Sequence, residues 1–350
     1  MRGGPQRQHP GQGRAVCGRR ADLHGARSPP GEAASDYRCR YVGRVDGFPG
    51  PAVENPCGSR HHRGSQEEQT LIPANVQQQL KYVKVSSDRL STARFPDFLI
   101  VGPQRTGTTW LHANLREHPE VFLAEPKELF FFSRLKTPEN PRFESDELDW
   151  YLSFFHDPAR RWLYKQWHSL RRYGRPYHAR VRGEATASYA ALDPDVIAEI
   201  AALRPDVKIV FSVRDPVDRA WSHAKKDLAR NRGRKVSEVS NEEFEAFFRD
   251  PYQLRCARYQ ENLANWRMLI PEKNIFIQRF EAIEQSPEDL LIEVMKFLGV
   301  STDPRYLVPE LARGAVNRTG NSEVPERFRS FLGELLTEEV ASWRRIFLSA

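Results

Sequence analysis

Phe98-Leu99-Ile100-Val101-Gly102-Pro103-Gln104-Arg105-Thr106-Gly107-Thr108-Thr109-Trp110-Leu111 is the stretch that decides the fold. Four consecutive apolar residues read as a strand buried on both faces, the habit of parallel sheets. A glycine then lets the backbone approach a bound group closely. The run from Thr108 opens a helix, whose first N–H groups lack intrahelical partners and lie at the positive end of its dipole. Strand, glycine turn and helix in that order cradle a phosphate-like anion. A nucleoside-triphosphate loop reads G-x-x-x-x-G-K-[ST], its lysine reaching the phosphates and its hydroxyl holding magnesium. Gly102 and Gly107 keep the spacing, but Thr108 stands in the lysine's place and the cation lies upstream at Arg105. An ATPase is therefore disfavoured. Hydroxyls, backbone donors and one cation suit a phosphosulfate, whose transferred group carries less charge and makes less demand for a bridging metal. The plainer alternative is a βα turn whose Gly and Thr residues merely cap a helix.

A second buried strand follows in Val207-Lys208-Ile209-Val210-Phe211-Ser212-Val213-Arg214-Asp215-Pro216, and Val217 to His223 opens another helix. Arg214 can offer a bidentate fork to a phosphate, with Ser222 about two helical turns further on. The alternative for Arg214 is a strand-end salt bridge to Asp215 or Asp218. Together the two segments resemble the 5′-phosphosulfate loop and the 3′-phosphate segment of sulfotransferases that use 3′-phosphoadenosine-5′-phosphosulfate (PAPS), in the branch that includes the heparan sulfate enzymes and many bacterial relatives. The resemblance implies an α/β fold, a single domain with a P-loop-like parallel sheet flanked by helices on both faces, PAPS as co-substrate and no metal. It places Arg105, Thr106, Gly107, Thr108, Thr109 and Trp110 at the 5′ end, and Arg214 and Ser222 at the 3′-phosphate. The family's late basic loop of Lys-Gly-Arg type is echoed in Val316 to Ser322 only by Arg318 and Gly320, which makes Arg318 a further cofactor contact.

Transfer to a hydroxyl or amine needs a group that removes a proton. In Ala124-Glu125-Pro126-Lys127-Glu128-Leu129-Phe130-Phe131-Phe132, Glu128 precedes three aromatics, an apolar surrounding expected to raise its pKa toward that of a useful base. It resembles the catalytic glutamate before a Phe-Phe pair in the heparan sulfate branch. The blander reading makes Glu125 and Glu128 solvated loop charges and the aromatics core. His112, His118 and His223 are runners-up, because the family's cytosolic small-molecule branch uses a histidine. Arg182-Gly183-Glu184-Ala185-Thr186-Ala187-Ser188-Tyr189 resembles a third family segment, but Ala185 stands where the heparan sulfate enzymes carry a lysine, and Lys127 and Arg182 are candidate substitutes. Tyr259, Leu263 and Trp266, at helical spacing, read as core even though the family's helix here turns a Tyr to the cleft. The implied reaction transfers a sulfuryl group to a hydroxyl or amine of a carbohydrate-type or small acceptor and releases 3′,5′-ADP. Glu128 would act as base, and Arg105 would stabilise charge on the leaving oxygen. The alternative is a nucleotide-binding regulator or degenerate P-loop kinase, although no loop lysine or clear Walker-B carboxylate is present.

At 350 residues the chain can hold one large α/β domain. Residues 1–70 hold more than half of its 21 glycines and no lysine, without apolar periodicity. Residues 1–90 therefore read as a disordered arm or, preferably, an upstream extension of the reading frame. Gln77 to Tyr82 is a candidate lead-in, and the sulfotransferase domain is expected over 95–350. Cys17, Cys39 and Cys57 lack C-x-x-C spacing and Cys256 is isolated, which disfavours a zinc site or disulfide framework. No signal-peptide core or eighteen-residue apolar run is present, which points to a soluble cytoplasmic protein, unlike the anchored Golgi enzymes of the resembling branch. Part of the net charge of +7 lies in Arg160-Arg161, Arg171-Arg172 and Lys225-Lys226. These pairs would meet an anionic acceptor or form solvated helix faces, the commoner outcome. A nucleic-acid partner would need basic residues interleaved with exposed aromatics, and no convincing stripe of that kind is read.

Overall fold

The computed structural model describes residues 72–86, 95–314 and 323–347. Arg318 and residues 1–71 lie outside these. Five strands, β1 (Phe98–Val101), β2 (Val121–Leu123), β3 (Val181–Ala185), β4 (Lys208–Val213) and β5 (Ile275–Arg279), form one sheet in the order β2-β3-β1-β4-β5. All pairings are parallel, with Leu99 opposite Glu184 on β3 and Ile209 on β4. Every residue of β1 is buried, as its unbroken apolar run requires at the centre of a two-sided sheet.

Alternate side chains leave a strand on opposite faces, and each face here has its own core. Leu99, Val101, Ile209 and Phe211 pack with Ile197 and Ile200 of helix Pro194–Leu203 and with Leu263 and Trp266 of helix Tyr259–Leu269. Tyr259 joins the same core, so the three residues read as core are core. On the other face Phe98, Ile100 and Val210 meet Trp110, Leu111 and Leu115 of helix Thr108–Arg116, and Leu291, Val294 and Met295 of helix Pro287–Leu298. A third cluster joins Trp221 of helix Pro216–Ala224, Phe244 and Phe248 of helix Asn241–Arg249, and Phe328 and Leu332 of helix Glu326–Leu335. This is the α/β arrangement with helices on both faces.

The chain leaves β1 for β2 on one side, returns to β3 beside β1, then crosses to β4 on the other side. Winding therefore reverses around β1, and in such sheets ligands gather beyond the carboxyl ends of the strands at that point. Gly102, Thr186 and Arg214 follow directly on the three central strands there.

The described part of the segment expected to be disordered is folded, which corrects the boundary. Ile72 and Val83 are buried. The buried Glu199 accepts the N–H groups of Lys81, Tyr82 and Val83 at 2.9, 2.8 and 2.8 Å. Residues 72–86 are thus held by backbone donors on a distant carboxylate, a link that leaves no local pattern to read.

Candidate active site

The loop after β1 is shaped by its glycines. At Gly107, φ is +95° and it is the residue before helix Thr108–Arg116, with no side chain capping the helix. The N–H groups from Gly107 to Trp110 therefore lack intrahelical acceptors. A Cβ at Gly102, where φ is +154°, would lie 2.6 Å from Cβ of Ser212. Two side chains in this loop are occupied elsewhere, which leaves their backbone N–H groups to face a ligand. Thr106 is fully buried and its hydroxyl donates to the Pro103 carbonyl at 2.8 Å, so that side chain holds the loop's shape. The indole of Trp110 donates to the Ala312 carbonyl at 2.8 Å and packs in the core, leaving only its backbone N–H toward the loop.

The second segment meets the first directly. Asp215 is occupied as the cap of helix Pro216–Ala224, accepting from Val217 and Asp218 N–H at 2.9 and 3.0 Å. Arg214, just before it, lies over the Phe280 ring at 4.0 Å and donates to the Arg105 carbonyl at 3.3 Å. Nε of Arg105 in turn donates to Oγ of Ser222 at 2.9 Å. Lys225 joins them from the next turn: it is buried, and burial followed by repulsion from Arg214 and Arg105 lowers its pKa. Burial likewise lowers that of Arg214. Asp218, Glu284 and Glu281 act on Arg214 in the opposite sense, and Asp218 on Lys225 as well, so the cluster mixes three cations with nearby carboxylates. The reading of Lys225 and Lys226 as a solvated face thus fails for Lys225, which continues the helix three residues after Ser222 and four after Trp221, and a π-helical turn follows over Lys225–Ala229. Such turns shift the register of a helix face and recur at functional sites.

Glu128 lies beyond the end of β2. Its N–H donates to the Ala185 carbonyl at the end of β3 (3.0 Å), its Oε2 accepts from Ala187 N–H at 3.0 Å, and its Oε1 pairs with Lys127. The aromatic run does not enclose it, contrary to the reason first given for its role. Phe131 and Phe132 turn into the core against Tyr151, while Phe130 is only partly buried and has the Arg134 guanidinium over its ring. Glu128 instead stands partly exposed among polar partners. Its φ is +69° and that of Arg105 is +79°, and only Phe130 joins them as non-glycine residues with positive φ among the described residues. Side chains rarely tolerate that region, and the strain concentrates at functional sites.

Two further residues flank Glu128. The Tyr252 hydroxyl accepts from the Gln104 amide at 2.7 Å, and burial, with Cys256 and Glu128 nearby, pushes its phenol well up. The carboxyl of Glu184 is buried on β3; burial first, then the charge of Glu128, pushes it up to about 8, so it is mostly protonated at neutral pH. Tyr252 carried no signal in sequence; Glu184 stands in the third family-like segment, but its raised pKa depends on what the fold packs around it. Lys127 reaches Glu128, whereas Arg182 sits lower on β3, opposite Phe122. Of the histidines, His118 contacts the Ser301 carbonyl and accepts from Glu120 N–H, and His223 is held by Gln253 and Asp227. His112 is buried beside Lys127, and burial above all pushes it down to about 4. The hydroxyl of Ser188 pairs with that of Ser133 at 3.0 Å. Among the described residues no His, Cys, Asp and Glu side chains cluster as a metal site, and no helix is long and apolar enough to cross a membrane.

Residues 96–304, more than half of the chain, match the Sulfotransferase family. The chain belongs to the sulfotransferase family. It is 25% identical over 294 residues to the bifunctional heparan sulfate N-deacetylase/N-sulfotransferase 3 of Mus musculus, covering 79% of this chain and 28% of that protein. To the human bifunctional heparan sulfate N-deacetylase/N-sulfotransferase 2 it is 25% identical over 268 residues, covering 73% of this chain and 26% of the relative. The sulfotransferase thus spans little more than a quarter of these relatives. Among solved structures, a sulfotransferase from Alicyclobacillus acidocaldarius aligns with a TM-score of 0.49 at 23% identity, over 72% of this chain and 95% of that one.

Proposed function

We propose that this sulfotransferase moves a sulfuryl group from PAPS to a hydroxyl or amine of an acceptor, with Glu128 as base. The observation that carries the reading is the convergence of Arg105, Arg214 and Lys225 beside a helix N-terminus, joined by the Arg105–Ser222 hydrogen bond. A nucleotide with one phosphate-bearing end needs one such pole. A 3′,5′-substituted nucleotide needs two, and its charge fits this set. The N–H groups from Gly107 to Trp110 with Thr108 and Thr109 would hold the 5′ group, and Arg214, Ser222 and Lys225 the 3′-phosphate. When bound, PAPS supplies the sulfuryl group. Arg105 would stabilise charge developing on the bridging oxygen while Ser222 fixes its guanidinium. Glu128 takes the acceptor's proton on Oε1 or Oε2, with Ala187 N–H and Lys127 fixing the carboxylate and Lys127 serving where Ala185 replaces the family's lysine. The heparan sulfate names of the relatives support a saccharide as acceptor.

A thermal-shift titration tests the cofactor. 3′,5′-ADP should raise the Tm without magnesium through binding linkage, and ATP with magnesium should raise it much less. Equal stabilisation by ATP with magnesium would reject the sulfotransferase reading in favour of a nucleotide-binding regulator.

A further inference from the structure

Helix Ala159–Tyr173, in the segment between Glu128 and β3, turns its apolar residues away from the protein. Trp162, Leu163, Tyr164, Trp167 and Leu170 are each between 46% and 62% exposed, and they are five of the seven exposed large apolar side chains among the described residues. The side that faces the domain is polar instead. Lys165 bonds Asp157 at 2.8 Å, Gln166 donates to the Tyr177 carbonyl at 2.5 Å, and Ser169 donates to the Arg175 carbonyl at 2.7 Å. A helix lying on its own domain normally buries its apolar stripe. An exposed contiguous one marks a surface that meets something else.

The charges on the same helix say what that is. Arg160, Arg161, Lys165, Arg171 and Arg172 lie on it with no Asp or Glu. Arg161 and Lys165 are matched from the protein side by Glu125 and Asp157, whereas Arg160, Arg171 and Arg172 are exposed. We propose that helix Ala159–Tyr173 docks the protein on an anionic lipid surface. Trp, Tyr and Leu enter the boundary of the acyl chains while arginines stay at the phosphates, the arrangement of helices that lie flat in a bilayer interface. Charge argues against the other occupants. A second copy meeting this face symmetrically would set the arginines against one another. Residues 1–70 carry 11 arginines against 7 acidic residues and would be repelled as well. This helix does interleave basic residues with exposed aromatics, which corrects the sequence reading, but a polyanionic polymer would satisfy the arginines and leave Leu163 and Leu170 in water. Because Arg161 pairs with Glu125, three residues before Glu128, the docked helix would hold that loop near the lipid surface.

The test uses the full chain with phosphatidylcholine vesicles, with and without phosphatidylglycerol, read by co-sedimentation and tryptophan emission. Binding to the anionic vesicles should exceed binding to the neutral ones by about tenfold or more, with a blue shift from Trp162 and Trp167. The exposed-site variant L163S/W167S/L170S should lose about tenfold or more of that binding, with circular dichroism and Tm unchanged. R160E/R171E/R172E should lose the preference for phosphatidylglycerol. Absence of vesicle binding overturns the proposal. So does undiminished binding by the serine variant, which would assign the effect to other basic residues such as those of 1–70. A wild-type dimer that falls to a monomer in the serine variant, without vesicle binding, would assign the face to a second copy.

Discussion

Glu128 and Arg105 share an unfavourable backbone conformation, and in the proposed reaction their side chains should fail in different ways. Glu128→Gln can still accept from Ala187 N–H but cannot take a proton. Its turnover with PAPS should drop about 10²- to 10⁴-fold while 3′,5′-ADP affinity stays within a few-fold. Arg105→Ala should lower both, since it removes the partner of Ser222 as well as the donor to the leaving oxygen. If Glu128→Gln turns over near normally and His112→Ala does not, the proton goes to the histidine. Glu184 makes a pH prediction. Its folded pKa of about 8 exceeds the ordinary 4.5, so the folded state binds the extra proton between those values. Stability is therefore complete below about pH 4.5 for this group and falls as pH rises toward 8, by up to about 1.4 kcal/mol per unit. Glu184→Gln, neutral throughout, should flatten that fall in urea titrations from pH 5 to 8. An unchanged slope would show that the carboxyl is ionised in the fold. His112 works in the opposite window, losing stability as pH falls from 6.5 toward 4.

At the scale of elements, the strand–turn–helix unit is what the first motif promised, because strand burial and an N-terminal glycine are both local demands. Gly107 carries that demand most sharply. A Cβ there would sit 2.4 Å from Cδ1 of Ile283, and the φ of +95° remains strained even if Ile283 moves aside. Gly107→Ala should cost about 1–3 kcal/mol in chemical denaturation and weaken 3′,5′-ADP binding, as helix Thr108–Arg116 loses its starting geometry. Retained affinity at normal stability would show that the loop does not hold the nucleotide. The π-helical turn at Lys225–Ala229 is the contrary case. Nothing in Lys225-Lys226-Asp227-Leu228-Ala229 distinguishes it from a regular helical turn, so the π turn itself could not be read beforehand, although the helical spacing of Lys225 from Ser222 puts the two on one face.

The whole molecule adds contacts that bridge a hundred residues or more. Glu199 holds the lead-in through three N–H groups, and deletion of residues 1–86 would strand that buried carboxylate without them. Deletion of 1–71 spares all three donors. The longer truncation should be less stable than the shorter by about 3 kcal/mol or more, measured by urea unfolding of the two side by side. Equal stability would mean that water replaces the lead-in without loss.

The sequence by itself determined the sheet class, the strand–glycine–helix order after β1, and the second strand–helix unit that carries Arg214 and Ser222. Each rests on burial periodicity, a glycine or the start of a helix, all properties of a short stretch of chain. Only the tertiary structure decided that Thr106 and the Trp110 ring serve packing and that Lys225 belongs with the two arginines. It also placed Glu128 on the end of β3 instead of within its neighbouring aromatics, put a mostly protonated Glu184 beside it, and tied residues 72–86 to Glu199. Those outcomes depend on which buried donor, acceptor or charge lies opposite. That is settled by strand order and helix register across the sheet, where residues far apart in the chain become neighbours.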